Sequence, residues 1–219
     1  MSVHPISPGS VVSRIWEIYR DQFSVLVSTA VALFAIQFVL TLVLSAAAAF
    51  ALGILFWALS ILYQGMVVEL VQDVQDGRRD HSVRDLARSV EPVFWQLAAV
   101  SILFGIAIAI GFVLLIIPGL ILMVIWSVVA PVTVLERPGV FAAFGRSREL
   151  VRGNGWAVFG VLVLVFLSVV VVSVAATLLA ASLGAVGRAF VQWAVDAALA
   201  PITALSASVL YFALLGQLA

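Results

Sequence analysis

The sequence predicts an all-α membrane protein, a bundle of six transmembrane helices with three amphipathic helices at the membrane surface. Hydrophobic residues make up 64% of the 219 residues and charged residues only 10%, against roughly 45–50% and about 25% in soluble domains. A soluble chain of this size could not keep so much apolar surface from water. Long apolar stretches also alternate with three short segments rich in arginine, as membrane spans alternate with surface helices.

The first unit begins at Ser7-Pro8, where serine can cap a helix and proline suits its first turn. Apolar residues then recur at helical spacing as far as Phe23, which predicts a surface helix at about 8–22. No charged residue occurs between Gln22 and Val68. That stretch is far longer than the roughly 20 helical residues that cross a bilayer. It therefore predicts two spans, at about 23–46 and 49–71, with a loosely defined turn between them.

The second and third units repeat this order. A surface helix is predicted at about 82–92, starting at a capping-box serine, and is followed by spans at about 94–117 and 119–135 with a turn at Pro118-Gly119. A third surface helix, at about 138–153, precedes spans at about 156–182 and 189–216. We predict that all these elements form one integral membrane domain, residues 1–219.

An aromatic residue stands at the start of the first span of each unit: Phe23, Trp95 and Trp156. Ser10 and Ser82 each lie 13 residues before the aromatic residue of their unit. Two interpretations are open. The chain contains a triplicated unit of surface helix plus helical hairpin, or the spacing is a general feature of membrane proteins with amphipathic cytoplasmic loops.

The arginines predict the orientation in the membrane. Ten of the eleven fall on the side of the predicted bundle that holds the N-terminus, and only Arg188 falls on the other. Since positively charged residues in short loops concentrate on the cytoplasmic side, we expect that side to be cytoplasmic. With six spans, the C-terminus is predicted to be cytoplasmic as well.

The composition excludes several kinds of chemistry. The formal net charge of zero gives no indication of nucleic-acid binding, and no cysteine is present for disulfides or thiolate chemistry. Neither of the two histidines has a partner at the spacing of metal ligands. Phosphate-loop, dinucleotide and nucleophile-elbow motifs are absent from the sequence. We therefore expect no metal, no cofactor and no catalytic centre.

A polar face on the sixth predicted span is the candidate site within the membrane. Arg188, Gln192 and Asp196 are spaced by four residues and share one side of a helix. Pro201 removes a backbone hydrogen bond and predicts a kink. Ionisable residues within the membrane are expensive and often functional. A packing role, with the carboxylate paired or hydrogen-bonded, is the alternative.

The arginines of the surface helices are candidates for contact with anionic lipid headgroups, each worth about 1 kcal/mol. Carboxylates on the same helices offer the alternative of pairing at i, i+3, for example Arg146 with Glu149. General anchoring at the interface is favoured over recognition of one lipid. The candidate residues are Arg14, Arg84, Arg88, Arg146, Arg148 and Arg152.

A stretch of the chain resembles a known bacterial family. The pattern is a Pro-Gly pair, an apolar span ending in P-V-x-V-x-E, an A-x-x-R-S segment, and V-R-G-N followed by an aromatic residue; here it runs from Pro118 to Trp156. It resembles the membrane domain attached to some glycerophosphoryl diester phosphodiesterases and related uncharacterised integral membrane proteins. The resemblance implies a six-helix bundle in a bacterial plasma (inner) membrane. It does not imply phosphodiesterase activity, which belongs to a separate soluble domain.

Such proteins often carry a tyrosine followed by charged residues near the C-terminus, whereas this chain keeps Tyr211 without the charges. The function predicted is that of a non-enzymatic scaffold or accessory protein that engages lipids, another membrane protein or a second copy of itself. The alternative is a small transporter or channel that uses the polar face of the sixth span. A water-accessible cavity at Asp196 would favour transport, and a lipid-facing groove would favour the scaffold.

Overall fold

The computed structural model describes residues 6–43, 49–76 and 83–216. Those residues contain helices and connections and no strand. The α-helices are α1 Pro8–Asp21, α2 Phe23–Val43, α3 Ala49–Gln75, α4 Val83–Val90, α5 Phe94–Leu114, α6 Ile116–Ile125, α7 Val129–Pro131, α8 Val140–Val151, α9 Gly155–Leu179 and α10 Ala185–Leu214. Two predicted features, the turn between the first two spans and the Ser82 start of the second surface helix, lie outside the described residues.

The predicted all-α membrane bundle is confirmed. Within the described residues, five helical stretches are long and apolar enough to cross a membrane: Gly53–Gln75, Asp85–Leu114, Ile116–Glu136, Gly155–Ser182 and Ala185–Leu214. A shorter apolar stretch, Phe23–Ala35, lies in α2. These stretches correspond in order to the six predicted spans.

The helix α10 forms the centre of the bundle. It packs against α1, α2, α3 and α9, and 67% of its most apolar window is buried, compared with 11% in α9. In its half after Pro201, the residues from Ala204 to Ala213 are all buried. The outer faces of α5 and α9 instead expose valine, leucine, isoleucine and phenylalanine. Such faces are stable against lipid or another apolar surface and not against water.

The surface helix α1 lies across the two last spans. Ser7 caps its N-terminus by accepting a hydrogen bond from the backbone N–H of Ser10. The helix buries one face, including Val11 and Ile15. At its other end the Tyr19 hydroxyl donates to the Ala198 carbonyl of α10 at 3.3 Å. Burial raises the pKa of Tyr19 above its ordinary value, because it penalises the charged phenolate.

The turn between α5 and α6 differs from the predicted one. It lies at Leu115, the single extended residue between the two helices, and Pro118 falls within the first turn of α6. A proline is tolerated there because the first N–H groups of a helix need no intrahelical partner. The two helices approach closely, since a Cβ on Gly111 would lie only 2.9 Å from the Cα of Gly119.

The fourth predicted span is not one continuous helix. After α6 ends at Ile125, residues 126–128 form turns, α7 adds one helical turn, and a π-helical segment, Val132–Glu136, completes the span. Arg137 follows in the left-handed conformation at φ 50°. Irregular backbone at membrane depth is tolerated where it is enclosed by protein, and residues 128–134 are buried.

Candidate functional site

A cavity of about 460 Å³ lies beside Asp196. We call it the intramembrane cleft. Residues of α2, α3, α9 and α10 line it. Asp196 lies about 17 Å from the Ala185 end of α10 and about 27 Å from the Leu214 end, at 1.5 Å per residue. The polar lining of the cleft consists of Ser60, Tyr63, Gln64, Ser173, Asp196 and Thr203. Its apolar walls include Phe34, Phe56, Val169 and Leu199.

The cleft forms because α9 and the α2–α3 pair flank α10 on different sides. Both pack against α10, which supplies Asp196, Ala200 and Thr203 as the floor. Val169 and Ser173 face this floor from α9, and Ser60 and Gln64 face it from α3. The residue Asp196 is exposed rather than enclosed between helices. Its carboxylate therefore faces the open volume of the cleft.

The structure joins two of the three residues of the predicted polar face. The Gln192 amide donates a hydrogen bond of 2.9 Å to Oδ1 of Asp196. Arg188 instead donates from Nη1 to the Leu183 carbonyl at 2.8 Å. That bond satisfies a carbonyl at the turn before α10. Arg188 and Gln192 also line a second groove of about 320 Å³, together with Thr177 of α9.

Pro201 lies inside α10, which remains an α-helix on both sides of it. The proline cannot donate to the carbonyl of Ala197, and that lost bond lies one residue from Asp196. The helix thus has one backbone bond fewer beside the cleft.

A second polar cluster lies where α8, the π-helical segment and α10 meet. Arg146 donates from Nε to the two carboxylate oxygens of Glu136 at 2.8 and 3.2 Å, and the Tyr211 hydroxyl donates to Glu136 Oε1 at 3.0 Å. The hydrogen bond to Glu136 is the main cause that raises the pKa of Arg146. Glu149 adds a longer contact of 3.7 Å to Arg146. We call Glu136, Arg146 and Tyr211 the Glu136 cluster.

The A-x-x-R-S segment explains how α8 is held. Ala143 and Ser147 are buried on the face of α8 that meets the bundle. The Ser147 hydroxyl donates at 3.0 Å to the carbonyl of Ile125, the last residue of α6. The carbonyls at the end of a helix have no intrahelical donor, so Ser147 satisfies one that the interruption of the span leaves open. Arg146 and Ser147 therefore fasten α8 to the two ends of the interrupted stretch.

The remaining candidate arginines lie in or directly after the short helices α1, α4 and α8. Arg14 pairs with Glu17 at 3.2 Å within α1. Arg84 lies in α4, and its side chain is outside the description. Arg88 lines a groove of about 430 Å³ with Glu91 and Trp95. Arg148 and Arg152 line a larger groove of about 670 Å³ at the start of α9.

Sequence reasoning did not identify the hydroxyl-bearing residues of the cleft or the contact between Tyr211 and Glu136. Ser60 and Thr203 lie in separate helices with no recognisable pattern around them. Tyr211 and Glu136 are 75 residues apart. The one available signal was the family-like pattern, which contains Glu136 and Arg146 and points to a tyrosine near the C-terminus.

No group of three or more His, Asp or Glu side chains lies close enough to hold a metal ion in the part of the chain that the structure describes.

Comparison with known proteins supports a bacterial membrane protein. The chain is 34% identical over 95 residues to a UPF0259 membrane protein of Pectobacterium carotovorum. The match covers 43% of this chain and 38% of the relative, so the chain spans less than half of the relative's length. No protein-family model matches the chain, and no solved structure matches it. The relative's name and the apolar helices together support a multi-pass protein of a bacterial membrane.

Proposed function

We propose that this protein is a non-enzymatic accessory or scaffold protein that binds an amphiphilic molecule from the bilayer in the intramembrane cleft. The observation that carries the proposal is the exposed carboxylate of Asp196 in a cavity of about 460 Å³ between membrane helices. A carboxylate at this depth is costly unless it has partners. A bound polar head would supply them.

A packing role for Asp196 is less well supported. A carboxylate that only joined helices would be enclosed between them and hydrogen-bonded across the interface. Asp196 instead accepts from Gln192 of its own helix and faces the cleft. Arg188, the nearest basic residue along α10, donates to a backbone carbonyl instead.

The surface arginines and the orientation complete the proposal. Arg148 and Arg152 line a groove at the start of α9 and are proposed to hold anionic headgroups at the cytoplasmic face, with both termini on that side. A membrane partner or a second copy is proposed to pack on the exposed faces of α5 or α9.

Native mass spectrometry of the full chain, extracted in a mild detergent, tests the cleft. Ser173→Phe places a ring in the cleft, whereas Val174→Phe places one on the neighbouring exposed position of α9. We expect a bound amphiphile on the wild-type protein and on Val174→Phe, and its loss from Ser173→Phe. An identical set of bound molecules on all three proteins would refute the proposal.

Transport is the second candidate. It is favoured by the cavity at Asp196 itself and by the link between this cavity and the second groove. Gln192 lines the second groove and donates to Asp196 in the cleft, so one hydrogen bond links the linings of the two cavities. Because the natural chain has no cysteine, Thr203→Cys offers a single target for a membrane-impermeant thiol reagent. Labelling from both sides of the membrane is expected of a transporter. Labelling from one side or neither would contradict transport.

A further inference from the structure

We infer that the intramembrane cleft recognises the N–H-bearing head of an organic cation, such as a protonated amine, attached to an apolar body. This inference rests on the proposed function and specifies its ligand class. Three features support it: the hydrogen-bonding state of the hydroxyls in the cleft, the charge of its lining, and the shape of its apolar walls.

Three of the four hydroxyl groups that line the cleft are left as acceptors. Ser60 donates its proton to the Phe56 carbonyl at 2.8 Å, and Thr203 donates to the Ala200 carbonyl at 2.9 Å. Tyr63 donates to the Leu26 carbonyl at 3.1 Å. A hydroxyl has one donor and two acceptor lone pairs. Since each donor is used by the backbone, what these groups can still offer a ligand is lone pairs.

The charge of the lining is negative. Asp196 is the one ionisable carboxyl or basic group among the described residues that line the cleft. Gln192 occupies its Oδ1, and the described contacts show no hydrogen bond to Oδ2. Gln64 and Ser173 add groups that can donate or accept. A ligand with N–H donors and a positive charge would match this set, because hydrogen bonds between a cation and a carboxylate are the strong ones.

The apolar walls select an amphiphile. Phe34 and Phe56 form an aromatic pair with ring centroids 5.5 Å apart, and both line the cleft together with Val169 and Leu199. Aromatic walls could also hold a quaternary ammonium group, which has no N–H, through cation–π attraction. The acceptor groups favour a protonated amine over a quaternary ammonium group, since only a head with N–H donors can donate hydrogen bonds to them.

Binding of decylammonium and decyltrimethylammonium to the full chain in lipid nanodiscs tests the inference. The two probes share one apolar chain and differ in their N–H donors. Tryptophan fluorescence reports binding, because Trp193 lies one helical turn from Asp196. We expect the wild-type protein to bind decylammonium about tenfold more tightly, or better, in line with a charge-assisted hydrogen bond. Asp196→Asn should reduce that preference several-fold, because the charge-assisted bond is lost while the hydroxyl acceptors remain.

A hydroxyl deletion guards against an effect of Asp196 on folding. Thr203→Val keeps the side-chain shape and removes one acceptor, and should weaken decylammonium binding several-fold. Thr177→Val removes a hydroxyl outside the cleft and should leave binding unchanged. Equal affinity of the wild-type protein for both probes would overturn the inference, as would a preference that Asp196→Asn leaves undiminished. If Ser173→Phe still lost its bound amphiphile in that case, the proposed function would stand and the cation specificity alone would fail.

Discussion

Replacing Arg146 with glutamine should destabilise the folded protein by about 1–3 kcal/mol. Arg146 and Glu136 are each 27% exposed and meet at 2.8 Å. Exposed ion pairs contribute about 0.2–1 kcal/mol, and breaking a fully buried pair costs about 3–5 kcal/mol. The pair lies between these limits. The loss also leaves Glu136 with the Tyr211 hydroxyl as its remaining partner in the cluster.

A double-mutant cycle with Glu136→Gln measures the interaction itself. The proteins are unfolded by titrating sodium dodecyl sulfate into mixed micelles, and unfolding is followed by tryptophan fluorescence. We expect the double variant to be more stable than additivity implies, by about 1 kcal/mol or more. Arg148→Gln is the matched control, because Arg148 is an exposed arginine of the same helix.

The pH dependence of this effect follows from the direction of the pKa shift. The pKa of Arg146 is raised above its ordinary value, chiefly by the hydrogen bond to Glu136. A base whose pKa is raised in the folded state contributes stability below its unfolded pKa and loses it only as the pH rises through the folded value. The difference between wild type and Arg146→Gln should therefore stay constant between about pH 7 and 10.

Two results would refute this reasoning. One is additivity of the two substitutions within about 0.5 kcal/mol, which is expected of sites that do not interact. The other is an equal loss of stability in Arg148→Gln, which would show that any arginine removed from α8 has the same effect.

Two further predictions concern the α5–α6 hairpin and the end of α6. Gly111→Ala should destabilise the protein by about 1–3 kcal/mol through overpacking, because the new Cβ would lie 2.9 Å from the Gly119 Cα. The control is Gly105→Ala, whose Cβ would have nothing within 4 Å. It should be neutral or stabilising in the same detergent titration. Ser147→Ala should cost about 1–3 kcal/mol, because the Ile125 carbonyl loses its donor; a loss below about 0.5 kcal/mol would show that this carbonyl finds another partner.

The apolar stretches predicted the order of the helices because lipid forces a simple rule on the chain. Every span must satisfy its own backbone hydrogen bonds, so about 20 apolar residues become a helix. The place of the α5–α6 turn was wrong by a few residues. Proline and glycine usually mark turns, yet Pro118 suits the first turn of a helix equally well, and only the packing of Gly111 against Gly119 distinguishes the two.

The interruption after Ile125 has one local signal, Pro131, which cannot donate a backbone hydrogen bond to the carbonyl of Ser127. The apolar run from Ile116 to Leu135 reads as an unbroken span. Its break is stabilised from a distance, by the Ser147 hydroxyl on one side and by Arg146 on the other, through Glu136. A sequence window that contains only the span cannot register these partners.

The contacts of the polar face of the sixth span were also predicted only in part. Helical periodicity placed Gln192 and Asp196 together, and the structure joins them. It does not join Arg188 to them, because a closer acceptor, the Leu183 carbonyl, lies at the turn before α10. Ser60 and Tyr63 come to the cleft from α3 through helix packing alone.

By itself the sequence determined the solvent of this protein, its helical class and the order of its spans. Hydropathy and helical period depend on nearby residues only, and a lipid environment requires apolar helices. The tertiary structure decided which helix is central and where the fourth span breaks. It also decided that Asp196 faces a cleft whereas Arg188 donates to the Leu183 carbonyl. Those features depend on contacts between residues far apart in the chain, and such contacts leave no periodic trace in it.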